Sequence, residues 1–89
     1  MKNNYTCRWH ESALHDLKTI DKVVAKKIVQ KVDNYLTQDP LTIGKPLKAN
    51  LKGFFSYRIG SYRIIYIVEK TIKIITITKV FHRKDVYED

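Results

Sequence analysis

An α+β domain is predicted by three features. Residues 54–81 run as β-branched and aromatic positions broken by short polar turns, two helical patterns lie between residues 12 and 36, and a Gly60-Ser61 pair turns the β run back on itself. The expected architecture is a short N-terminal strand, then a two-helix hairpin packed on one face of an antiparallel β-meander. With 89 residues, near the lower end of what buries enough surface to fold unaided, residues 1–89 are read as one domain.

The hairpin fixes the two faces of the sheet. Glycine tolerates the positive φ that the first position of a two-residue turn requires. Folding the chain at Gly60-Ser61 sets Ile59 against Tyr62 and Arg58 against Arg63. Alternation then gives Phe55, Tyr57, Ile59, Tyr62, Ile64, Tyr66 and Val68 to one face, apolar or aromatic at every position and therefore the core. The other face carries Phe54, Ser56, Arg58, Arg63, Ile65 and Ile67, with two arginines directly opposite each other. Like charges in that relation cost a sheet roughly a few tenths to 1 kcal/mol. Two readings are open: the pair holds an anion, or both guanidinium groups splay into water.

Along the rest of the chain, residues 4–9 alternate, with Tyr5, Cys7 and Trp9 on one side and Thr6 and Arg8 on the other, as in a short first strand. Trp9 reads as a core or sheet-edge residue and Cys7 as a small buried apolar one, since no base stands beside it to make it a nucleophile. Ser12 is the expected cap of a first helix bearing Leu14, Leu17 and Ile20. Asp21 caps a longer second helix with an apolar stripe of Ala25, Ile28, Val29, Val32 and Leu36, and Asp39-Pro40 stops it. Lys22, Lys26, Lys27 and Lys31 fall mostly off the stripe, as a solvated face does. Residues 41–50 are expected to be a loop that brings Lys45, Lys48 and Lys52 toward the arginine strand. After a polar turn at Glu69-Lys70-Thr71, residues 72–81 have the β-branched character of a central strand. Of its two parities, Lys73, Ile75, Ile77, Lys79, Phe81 and Arg83 is the more basic and is assigned to the arginine face, which places Arg83 on the side of Arg58 and Arg63.

Seventeen Lys and Arg against nine Asp and Glu give a net charge of +8, which points to a polyanionic partner. A single cysteine excludes an internal disulfide framework, and the Cys/His spacings of a zinc site are missing. The N-terminal residues lack the apolar stretch of a signal peptide, and no apolar run approaches the ~18 residues of a membrane span, so the cytoplasm is the expected compartment.

Four segments, Pro46-Leu47-Lys48, Leu51-Lys52-Gly53, the run Tyr57-Arg58-Ile59-Gly60-Ser61-Tyr62-Arg63-Ile64-Ile65-Tyr66, and His82-Arg83-Lys84-Asp85-Val86-Tyr87, make the chain resemble the RelE/ParE superfamily of toxins from toxin–antitoxin modules, and more closely its RelE branch. The resemblance implies a RelE-like fold and a metal-independent endoribonuclease, with no cofactor, that enters the ribosomal A site and cuts the messenger RNA codon there through the RNA's own 2′-hydroxyl. It also implies a cognate antitoxin as partner, beside ribosome and messenger RNA, with no membrane. Matched to the family's motifs, Arg63 and Arg83 are the expected transition-state stabilisers, and Tyr87 is the expected base-stacking or proton-handling residue. His82 is the expected general acid or base, a role for which histidine is the natural residue type. Lys48, Lys52, Arg58 and Lys84 are expected to bind RNA or ribosomal phosphates. The chain departs from the pattern at Ser56, where some relatives carry a basic residue, and in having no glutamate between Glu11 and Glu69. Two other functions compete: a ParE-like, non-catalytic inhibitor of DNA gyrase, and a small nucleic-acid-binding regulator, which the absence of a helix-turn-helix or aromatic single-strand-binding motif disfavours.

Overall fold

The computed structural model describes residues 4–84. Strand β1 (Thr6–Trp9) leads into helices α1 (Glu11–Lys18) and α2 (Lys22–Asn34). A 3₁₀ turn follows, then a single-turn helix α3 (Pro40–Ile43) and strands β2 (Lys45–Pro46), β3 (Phe54–Ile59), β4 (Tyr62–Glu69) and β5 (Ile74–His82). The five strands form one sheet in the order β1-β5-β4-β3-β2. β1 runs parallel to β5 and the remaining pairs are antiparallel, so the expected meander is the centre of a mixed sheet.

The hairpin forms as expected, with Gly60 at φ +60 and Arg58 paired with Arg63. The helices cover the face expected to be the core. Ile64, Tyr66, Ile75 and Ile77 from the sheet and Ala13, Ile28, Val32 and Leu36 from the helical side are fully buried, with Cys7, Trp9, Phe55, Tyr57 and Val68 packed around them. Asp21 caps α2 by accepting the Val23 N–H at 3.1 Å.

Three regions differ from the sequence reading: α1, residues 41–50 and β5. The cap of α1 is His10, whose Nδ1 accepts the Ser12 N–H at 3.1 Å. Ala13 is buried there while Leu14 is 45% exposed, because α1 presents the 13-17-20 stripe rather than the 14-17-20 one. The expected loop 41–50 holds α3 and β2, tied down where the Tyr66 hydroxyl donates to the Pro40 carbonyl at 2.7 Å. Gly44 lies against the same hydroxyl, where a β-carbon has no room.

The third difference sits in β5. Ile65 faces Lys79 but Tyr66 faces Ile77, so Thr78 is an extra residue, a β-bulge. Its Oγ donates to the Ile65 carbonyl at 3.1 Å. A single parity for residues 73–83 therefore fails. Ile75 and Ile77 lie under the helices, and the residues beyond the bulge, Lys79 and Phe81, fall on the arginine face.

Candidate functional site

Residues directly opposite each other in a sheet project from the same face, so the register defines what the uncovered face carries. Arg58, Arg63 and Phe81 stand abreast in one row. The next row is Lys45, Ser56, Ile65 and Lys79, and the one after it Phe54, Ile67, Thr76 and Arg8. Cations thus enter from all five strands. Glu69 shares the face only at the opposite end, beside Ile74.

The two opposed arginines are separated by their hydrogen bonds. Arg58 Nε turns back to the Gly60 carbonyl at 3.2 Å. Arg63, half-buried, donates a terminal N–H to the Ser56 hydroxyl at 3.4 Å, and Ser56 is itself buried at 4% exposure. Among the described residues, each fork is seen to use one of its five donors this way, on a neutral acceptor. Ser56, which the sequence reading treated as a departure, is the anchor of Arg63.

Beyond β5 the ladder continues for one step, where the Arg83 N–H donates to the Ser61 carbonyl at 2.8 Å. That bond sets Arg83 opposite Ser61 and diagonal to Arg63. Such diagonal neighbours are about 7–8 Å apart, within reach of long side chains. Alternation through Lys79 and Phe81 carries Arg83 to the same side.

His82 goes to the other side. It lies opposite Tyr62, a core-face residue, with the two rings edge to face at 5.0 Å. Its Nδ1 accepts the Lys84 N–H at 3.0 Å, which leaves the proton of the neutral ring on Nε2. With Val24, Lys27, Ile28, Ile59 and Tyr62 it lines a cleft of about 370 Å³ between α2 and the hairpin tip. The register thus sets Arg58 and Arg63 side by side on the open face, with the Arg83 backbone one ladder step beyond Phe81, and sets His82 across the sheet from them. Lys84 is exposed in the turn after β5. Lys48 and Lys52 flank a 3₁₀ turn before β3. Lys52 stands in the turn that enters β3, at the far end of that strand from Arg58. Tyr87 lies outside the described residues.

Arg8 was not foreseen as a site residue. It alternates with the half-buried Cys7 and Trp9, but only the parallel pairing Arg8–Thr76 shows that it shares the arginine face. Cys7 is inert on the helix side. Burial, with the Asp33 carboxylate adding to it, pushes its thiol up to about 12.

Residues 7–87 match the family model described as the ParE toxin of the type II toxin–antitoxin system parDE. The chain belongs to the RelE/ParE superfamily of type II toxin–antitoxin toxins. Toxin RelG of Mycobacterium tuberculosis is 35% identical over 83 residues, covering 93% of this chain and 95% of RelG. Toxin RelE of the same organism is 34% identical over 58 residues, 65% of this chain and 60% of that protein. Among solved structures, the toxin–antitoxin complex RelBE2 from M. tuberculosis superposes with a TM-score of 0.87 at 34% identity, covering 90% of this chain and 92% of that one. The Escherichia coli RelBE complex shares the fold, with a TM-score of 0.72 at 19% identity over 88% of this chain and 95% of that one. The RelE-like α+β fold expected from the sequence is therefore the fold of the chain, and members of this superfamily are toxins of toxin–antitoxin modules.

Proposed function

We propose that this toxin is a ribosome-dependent messenger RNA endonuclease that cuts the A-site codon, without a metal, by attack of the RNA's own 2′-hydroxyl on the adjacent phosphate. The observation that carries the reading is the diagonal placement of Arg63 and Arg83 on one uncovered, cationic face. In the reaction the 2′-oxygen forms a bond to phosphorus and the bond to the 5′-oxygen breaks. The products are a 2′,3′-cyclic phosphate and a 5′-hydroxyl, and the proton lost by the 2′-hydroxyl is recovered at the leaving oxygen. Negative charge builds on the non-bridging oxygens. Two planar, permanently charged forks approaching from adjacent strands suit that charge better than a single ammonium does.

Proton transfer falls to Tyr87 in this reading, because His82 packs on Tyr62 across the sheet from the arginines. An ordinary tyrosine is a weak base at neutral pH, and the role requires cations beside it to favour its ionised form. Arg58, Lys48, Lys52 and Lys84 hold RNA or ribosomal phosphates, with a salt-dependent effect on binding rather than on the chemical step. The cytoplasm is the compartment such a substrate requires.

A cognate antitoxin is the expected partner, as in the RelB–RelE complexes among the solved relatives. An acidic, amphipathic segment fits both available surfaces, the cationic face and the apolar cleft beside His82 with Lys27 on its rim.

Primer extension on cellular messages after induction tests the reading. Cuts at codon positions are expected with the native chain and are lost with Arg83→Ala; cuts that persist in the variant at the native level contradict it. A second reading, inhibition of DNA gyrase without chemistry, is favoured by the ParE description of the matching family. Intact messages together with blocked supercoiling by purified toxin would establish it instead.

A further inference from the structure

β1 ends at Trp9 opposite Ile77, so the edge of β5 from Thr78 onward has lost its strand neighbour on that side. Helix α1 takes over there. The His10 N–H donates to the Ile77 carbonyl at 2.9 Å. The Ser12 hydroxyl donates to the Thr78 carbonyl at 2.8 Å, and Asp16 Oδ2 accepts the Val80 N–H at 2.9 Å. These bonds span the bulge at Thr78, the point where β5 stops facing its core residues to the helices in the 75-77 phase and starts carrying Lys79, Phe81 and Arg83 on the cationic face.

From this arrangement we propose that Ser12, read above only as a helix cap, and Asp16 are positioning residues for the end of β5 that leads into Arg83. The proposal rests on the nuclease reading for its catalytic consequence. Past Ile77 the strand is held by β4 on one side and by these α1 side chains on the other. Asp16 contributes a charge-assisted bond, roughly twice as strong as a neutral one. A bulge bends and twists its strand, so the bonds that fix the bulge fix the direction in which the following residues leave it. Arg63, on β4 and anchored by Ser56, does not depend on them. The clamp therefore sets the spacing between the two arginines. Displacing one catalytic group by about 1 Å costs on the order of a hundredfold in rate.

The test uses the full chain with Asp16→Ala and with Asp16→Asn, which keeps an amide oxygen able to accept the Val80 N–H. Single-turnover cleavage of a ribosome-bound message is expected to fall roughly 10- to 100-fold in the alanine variant. Ribosome binding is expected to stay within about twofold, and the asparagine variant to recover most of the rate. An unchanged rate, or a loss of binding in proportion to rate, overturns the proposal, and so does a failure of asparagine to rescue. Backbone amide exchange reads the clamp independently of activity. In Asp16→Ala, the Val80 and Arg83 amides are expected to exchange at least roughly tenfold faster, with Ile75 and Ile77 unchanged. Uniform acceleration, or none, overturns it. If the native chain cuts no message, the nuclease reading falls and the exchange pattern alone decides the clamp.

Discussion

The two faces of β4 solve different problems with adjacent residues. Toward the helices, Ile64 and Tyr66 are fully buried among apolar neighbours, and what they contribute is removal of surface from water. Toward the open side, Arg63 is half-buried, and next to it Ile65 is buried at 3% exposure in a row with Ser56, flanked by Lys45 and Lys79. The open face is thus a packed floor on which long cationic side chains stand, their stems covering apolar surface while the charged heads stay wet. The difference teaches that stability and charge can be changed separately in one strand, and each substitution below bears on that separation.

The largest effect is expected on the open face. Arg63→Ala and Arg83→Ala should each lower single-turnover cleavage by about 10²- to 10³-fold, the magnitude of losing one donor to a developing oxyanion. Thermal unfolding should change little, because neither side chain supports the helix-covered core. Large losses of stability would erase the distinction between the faces.

Across the sheet the reverse is expected. Ile77→Ala opens a cavity against the helices and should cost about 2–5 kcal/mol in denaturant unfolding, with the cleavage rate of the folded fraction retained. Tyr66→Phe keeps the ring, which is stacked on Phe55 at 5.5 Å between centroids, but removes the bond to Pro40 that ties α3 to the sheet. Its cost should be about 1 kcal/mol.

His82→Ala sharpens the comparison, since sequence and structure assign this residue differently. Packed on Tyr62 on the helix side, it should lose about 0.5–1.5 kcal/mol of stability from the aromatic pair. The cleavage rate should hold, and a loss like that of Arg63→Ala would return His82 to the catalytic set. The smallest effect concerns Cys7. Its thiol, raised to about 12, should resist alkylation in the native chain at pH 8–9 and react readily once unfolded. The same shift means that an unfolded chain releases this proton near 9.0 while the native chain keeps it. Its contribution to stability is therefore complete below 9.0 and is lost as pH rises toward about 12.

Much of this was legible in the chain, for local reasons. Gly60-Ser61 dictates the hairpin, its register and the two faces, because turn geometry and alternation leave no freedom once the loop has two residues. Along α2 the Asp21 cap and the core positions Ile28 and Val32 were equally readable, whereas the helix ends at Asn34, before the expected stop at Asp39-Pro40, and leaves Leu36 to the 3₁₀ turn. What was hidden depends on contacts distant in sequence. The parallel pairing of β1 with β5 cannot be inferred from either strand alone, and it alone brings Arg8 to the cationic face. The bulge at Thr78 is invisible to a periodicity reading, since Ile75, Ile77 and Val80 are all apolar and either parity looks plausible. His82 follows from the bulge: it falls on the helix side with Val80, opposite Tyr62. Ser56 looked like a missing cation because its value lies in a bond to an arginine on the next strand. The short β2 was hidden by Gly44 and Pro46, which read as loop residues until Tyr66 is seen against Gly44 and Pro46 is seen paired with Phe55.

The central claim is that Arg63 and Arg83 grip one phosphate from the same side of the sheet. A double-mutant cycle on single-turnover cleavage of a ribosome-bound message, with Arg63→Ala, Arg83→Ala and the pair combined, tests it most directly. Shared contact with one transition state should leave the double variant well short of the summed losses, with a coupling of about 1 kcal/mol or more. Losses that add to within about 0.3–0.5 kcal/mol would mean that the two arginines act on separate groups, and would contradict the shared site.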